Sequence, residues 1–224
     1  MHQLRNRKII IYITLFFMIG TLNNKNINNF FNSVKSDVKV TGLDEKNNLE
    51  LINSLNLIKF HNLFFISDDK IREIIESNKL VENYSVFKVY PKTLNIKIGQ
   101  TKFLAQTKKD GNNYLLGSNG KLIETPHLKK NIPFIFGDFK NDNFFQLKEE
   151  LDKTNFNYED IKNLFFFKSG RWDIETRSNI LIKLPEKNIS KSLNMSLDIL
   201  NNDNKKIINQ LDLRQNNQII VNGK

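Results

Sequence analysis

Cysteine is absent from this 224-residue chain, which excludes disulfide frameworks, thiolate metal sites and a cysteine nucleophile. Histidine is scarce: His2, His61 and His127 stand more than a helical turn apart, and no G-x-S-x-G, Walker or dinucleotide-binding spacing occurs. Catalysis therefore has little to stand on. Only 4 Pro and 9 Gly are present, too few for a collagenous or low-complexity chain, while 18 Phe and many Ile and Leu can fill a core. Alanine occurs once, at Ala105, against abundant Asn, Lys, Ile and Phe, a bias that AT-rich coding produces unaided. The formal charge of +10 is thus a weak argument by itself for nucleic acid or an anionic surface.

The first strong signal is N-terminal. Arg5, Arg7 and Lys8 precede the uncharged run Ile9 to Leu22, followed by Asn23, Asn24 and Lys25. Fourteen residues make about 21 Å of helix against a hydrocarbon core of about 30 Å, so length alone allows a signal peptide or a short anchor. No small-x-small cleavage pattern follows, and retention is expected. Ile9, Ile10, Ile11, Ile13, Leu15, Phe16, Phe17, Ile19 and Leu22 contribute roughly −3 to −5 kcal/mol on the insertion scale, which predicts a membrane anchor. The basic flank orients it with the N-terminus inside and the bulk of the chain exported. A buried core helix would gain nothing from that charge asymmetry.

Beyond a polar spacer over 26–36, Asp37–Thr41 alternates like a strand, and Leu49, Ile52 and Leu55 make a helical stripe. Ser67 before Asp68 and Asp69 reads as a helix cap, with Ile71, Ile74 and Ile75 as the buried face. Val81–Tyr90 and Leu94–Ile98 alternate around the turn Pro91-Lys92-Thr93 and predict a hairpin. Strand, helix, helix, strand, strand over 37–100 is an α+β layer. Residues 101–221 predict an antiparallel sheet with helices: a hairpin at Asn119-Gly120, another at Ser178-Asn179, and amphipathic helices over Asp142–Lys153 and Ser190–Leu200. The latter has Leu193, Leu197 and Leu200 on one face and Ser190 as its cap.

Five stretches in order resemble the FtsQ/DivIB cell-division family. The hairpin Val86–Ile98 is similar to the V-x-k-x-x-P-x-t-L-x-I-x-I hairpin of its POTRA domain. Tyr114–Ile123, Ile132–Gly137, Gly170–Ile174 with Ile180–Glu186, and Ile208–Arg214 resemble the strands of its β domain. The family's E-R-x-P-x-A stretch corresponds to Gln100–Ala105, which keeps only the alanine. The resemblance implies an anchor and cytoplasmic stub over 1–25, a POTRA domain over 37–100, a β domain over 101–221 and a tail over 222–224.

The resemblance also implies a function: a non-enzymatic, single-pass inner-membrane protein of the division septum. It would bind the coiled-coil proteins FtsB and FtsL, recruit other divisome proteins through the POTRA domain, and help regulate septal peptidoglycan synthesis. No cofactor, metal, nucleic acid or small-molecule substrate is expected. The docking strand would be Asn217, Gln218, Ile219, Ile220 and Val221, an edge open to β-augmentation, with Arg214 and Gln215 just before it. Gln215 stands where relatives often carry an aromatic residue.

The competing classes are weaker on the residues themselves. Asp68-Asp69 and Glu149-Glu150 as the acid and base of a cell-wall hydrolase lie in predicted helices, where solvated faces are the ordinary explanation. Phe165-Phe166-Phe167-Lys168 with Lys129-Lys130 as a nucleic-acid or anionic-polymer surface competes with a strand held between layers. Trp172 after Gly170 reads as core rather than as an exposed anchor.

Overall fold

The computed structural model describes residues 2–21, 36–55, 63, 66–201, 208–215 and 218–223. Helix α1 (His2–Thr21) carries the apolar run, and the eight expected anchor residues from Ile9 to Ile19 are each at least 47% exposed. Among the described residues no helix is long and apolar enough to cross a membrane. Leu22, the last expected anchor residue, and most of the 26–36 spacer lie outside the described residues. The chain divides into two compact units, Met1–Gln100 and Thr101–Lys224.

The first unit runs β1 (Asp37–Thr41), α2 (Glu45–Ser54), α3 (Asp68–Ser77), β2 (Val81–Val89) and β3 (Thr93–Gln100). A three-residue connection carrying Pro91 folds β3 back antiparallel on β2. Among the described residues two helices separate β1 from the hairpin, a connection long enough for a crossover, and β1 joins β3 in parallel. Val38, Val40, Leu94, Ile96 and Ile98 then face Leu51, Leu55, Ile71 and Ile75 in one core. Each such side chain contributes about 1.5–3 kcal/mol when fully buried.

Two local expectations need correction. The buried residues of α2 and its end are Leu51 and Leu55, with Leu49 53% exposed. Of the expected stripe, Leu55 is buried and Ile52 packs against the core, while Leu51 takes the place of Leu49, because the helix turns a face centred on Leu51 and Leu55 to the sheet. Ser67 does precede α3, but its side chain makes no capping hydrogen bond. Asp68 instead pairs with Lys88 of β2 at 2.6 Å.

The second unit opens with β4 (Phe103–Lys109), β5 (Asn112–Gly117), β6 (Leu122–Glu124), β7 (Phe134–Phe136) and α4 (Asn141–Asp152). It continues with β8 (Ile161–Phe166), β9 (Trp172–Thr176), β10 (Leu181–Lys183), α5 (Ile189–Asn201), β11 (Ile208–Asp212) and β12 (Ile220–Gly223). These strands form one nine-stranded sheet in the order β12-β11-β10-β9-β8-β7-β4-β5-β6.

The expected antiparallel sheet is in fact mixed. β4 pairs parallel with β7, β7 with β8, and β10 with β11. The cause is connection length: α4 lies between β7 and β8 and α5 between β10 and β11, and a helical crossover returns the chain in the same direction. Asn119-Gly120 closes β5 on β6 with Gly120 at φ +75°, and Asn179 at φ +61° turns β9 into β10, as expected.

Packing explains the aromatic residues. Trp172 is 2% exposed, its ring 4.7 Å from Phe166 and 6.2 Å from Phe139. Of the three consecutive Phe residues, Phe165 stacks on Phe136 at 5.1 Å, Phe166 meets Trp172, and Phe167 lies under Arg171 at 4.5 Å. Gly137 follows β7 at φ +101°, where a Cβ would stand 2.2 Å from the carbonyl oxygen of Phe166, so only glycine fits. Helix α5 begins at Ile189, one residue before its expected cap: the N–H of Ser192 bonds the Asn188 carbonyl, and the N–H of Ser190 donates to Glu150.

Candidate functional site

Register across the second sheet defines its two faces, because residues directly opposite share a side. One row runs Ile135, Leu164, Ile174, Ile182, Leu211, and all five are at most 1% exposed. That face is the core face, shared with Phe144, Leu147, Leu193 and Leu200 of the helices. Opposite Leu211 the row continues to Val221 of β12, which is 46% exposed. The core row therefore ends on a half-exposed valine.

The other face carries the row Phe136, Phe165, Asp173, Lys183, Asp212, Ile220. Asp173 and Asp212 are 4% and 7% exposed although this face is not the helix-covered one. Cations cover them: Arg171 Nε lies 3.3 Å from Asp173, Lys183 stands in register between the two acids, and Arg214 forks onto Asp212. Burial holds the Asp173 carboxyl above the usual carboxylate range, against the pull of Arg171. The Arg214 hydrogen bonds hold Asp212 below it.

β12 is the outermost strand at one end of this sheet, paired antiparallel with β11 and with no described strand on its other flank. The expected docking residues divide around it. Ile220 and Val221 lie in the strand, each 46% exposed. Gln218 and Ile219 precede it, Ile219 leaning on the core, while Gln215 joins them around a cavity of about 40 Å³ beside α5. Arg214 follows β11 and is held by Asp212. Asn217 lies outside the described residues. The strand also reaches Gly223, so Asn222 and Gly223 are ladder residues opposite Gln210 and Ile208 rather than a tail. The sequence shows no strand pattern at Asn222-Gly223, and only the pairing with β11 reveals it as strand.

The other candidate groups are engaged elsewhere. Glu150 accepts from Lys153 at 2.7 Å and from the Ser190 amide at 3.2 Å, on the wall of a cavity of about 530 Å³ between α4 and the start of α5. Lys153 draws its carboxyl below the usual range. Asp68 and Asp69 are exposed on α3. Among the described residues no group of three or more His, Asp or Glu could hold a metal ion, and no buried side-chain polar atom lacks a partner. Part of the basic surplus lies at the β4–β6 end of the sheet, away from β12: residues 101–131 carry Lys102, Lys108, Lys109, Lys121, Lys129 and Lys130 against Asp110 and Glu124.

Comparison with known proteins agrees with this architecture. Residues 35–99 match the family model described as POTRA domain, FtsQ-type, and residues 105–214 match the one described as cell division protein FtsQ/DivIB, C-terminal. The cell division protein FtsQ of Rickettsia bellii is 27% identical over 193 residues, covering 83% of this chain and 70% of its own. That of Bradyrhizobium diazoefficiens is 24% identical over 168 residues, covering 71% and 48%. The solved extracytoplasmic domain of the DivIB protein of Geobacillus stearothermophilus is 11% identical, with a TM-score of 0.35 over 49% of this chain and 98% of that one. Since both matched models fall in order along most of its length, the chain belongs to the FtsQ/DivIB family of bacterial cell-division proteins.

Proposed function

We propose that the chain is a non-enzymatic, single-pass scaffold of the inner membrane at the division septum, which captures an FtsB-like partner, itself paired with an FtsL-like protein, by strand addition beyond β12. Through that contact it helps recruit and regulate septal peptidoglycan synthesis, and its POTRA domain meets other division proteins. The observation that carries the reading is the margin of the sheet: β12 is outermost, and its Val221 leaves the core row open at the last position. An added strand would receive backbone hydrogen bonds from β12 and set an apolar side chain beside Val221. The anchor rests on Ile9–Leu22 behind Arg5, Arg7 and Lys8.

The test is capture from solubilised membranes on the immobilised full chain, with and without its final ten residues. The reading expects FtsB-like and FtsL-like proteins with the full chain and neither after truncation; equal capture by both would end it.

The lysines of residues 101–131 favour a second reading, an exported binder of anionic polymers. Affinity falling steeply with salt would support it, since phosphate contacts release counterions and strand pairing does not.

A further inference from the structure

The sequence places Arg214 just before the expected docking strand, and the structure gives it a partner of its own. Oδ1 of Asp212 accepts from the Arg214 backbone N–H at 3.1 Å and from Nε at 2.8 Å. Oδ2 accepts from Nε at 3.0 Å and from Nη2. The fork engages Nε and Nη2 and leaves Nη1 outside it. Asp212 is itself fixed in β11, directly opposite Ile220 of β12 on one side and Lys183 of β10 on the other. Its side chain is 9% exposed while that of Arg214 is 43% exposed, so the acid is a buried post and the guanidinium its solvent-facing end.

A long, flexible arginine free in solvent loses much rotamer freedom when a partner orders it, whereas one already clamped loses little. We infer that Asp212 is a positioning residue for partner capture: it clamps Arg214 at the start of the β11–β12 connection, with Nη1 left to donate to an oxygen acceptor on a strand added beyond β12. The inference rests on the proposed docking at β12. It makes Asp212 act through Arg214 and gives the acid no contact of its own with the partner. A lysine at 214 would keep the charge but cannot reproduce the planar fork.

The test measures binding of the purified FtsB-like and FtsL-like pair from the same genome to the full-length chain in detergent, together with thermal melting of each variant. Asp212→Asn and Arg214→Ala are each expected to weaken binding by about tenfold or more, the scale of a charge-assisted hydrogen bond. The double variant is expected to be no weaker than Arg214→Ala alone, because the acid works only through the arginine. Arg214→Lys, which leaves Asp212 in the sheet, is expected to bind as weakly as Arg214→Ala. Wild-type affinity in Arg214→Lys, or losses from Asp212→Asn and Arg214→Ala that simply add, would overturn the inference. A chain with proline at whichever of Ile220 and Val221 donates outward from β12 separates the two ideas: full binding by that variant would remove the docking reading itself, whereas its loss beside an intact Arg214→Lys would remove only the role of Asp212.

Discussion

Val221 stands directly opposite Leu211, and the two differ only in what lies beyond them: Leu211 is 0% exposed between two strands, Val221 46% exposed with a strand on one side. A row of apolar side chains that crosses five strands without interruption is left incomplete at the sixth.

Substitutions at these two positions should therefore separate. Leu211→Ala opens a cavity in the core and is expected to destabilise the domain by about 2–5 kcal/mol. Val221→Asp is expected to leave the melting temperature nearly unchanged while abolishing partner capture, because it sets a charge where an added strand would be desolvated. Melting curves and pull-downs of both variants check this.

Proline scanning should show a one-residue alternation. In an antiparallel ladder successive N–H groups point to opposite flanks, so of Ile220 and Val221 one donates to β11 and its neighbour outward. Proline at the outward position should abolish capture with the fold intact, and at the inward position should lower the melting temperature. Identical behaviour of Ile220→Pro and Val221→Pro would count against the edge as the docking element.

Acid sensitivity should involve Asp212. Its folded-state carboxyl titrates below its usual value through the Arg214 hydrogen bonds, so the stabilisation is fully present above about pH 4 and is lost as pH falls through the depressed value. Between about pH 5 and about pH 2 the wild-type melting temperature should therefore fall more steeply than that of Asp212→Asn. Parallel slopes would contradict the coupling.

Deleting residues 1–25 should move the chain from the membrane fraction to the soluble fraction. Persistence with the membrane would contradict the anchor.

What was legible beforehand was whatever local chemistry decides. Pro91 between two alternating runs, Asn119-Gly120 and Ser178-Asn179 each mark a turn by residue type, and the structure has a turn at all three. Trp172 was readable as core for a similar reason, a large ring inside an alternating strand. Partnership over distance was not legible. Nothing near β7 announces that its neighbours are β4 and β8, since that depends on where α4 returns the chain. The last strand was expected at 217–221 and lies at Ile220–Gly223, because Asn222-Gly223 looks like a tail until its pairing with β11 is seen. The Asp212–Arg214 fork was not legible: Arg214 lies past the end of β11, and Asp212 is set between Lys183 and Ile220, which two other strands contribute.

The most direct test of strand addition is amide hydrogen exchange at Ile220–Gly223, measured with and without the purified FtsB-like and FtsL-like pair. The account predicts that the outward-pointing amides of β12, unprotected in the free chain, become protected on binding, while the core amides of Ile174 and Ile182 stay as they were. Saturating binding with unchanged exchange along β12 would contradict it.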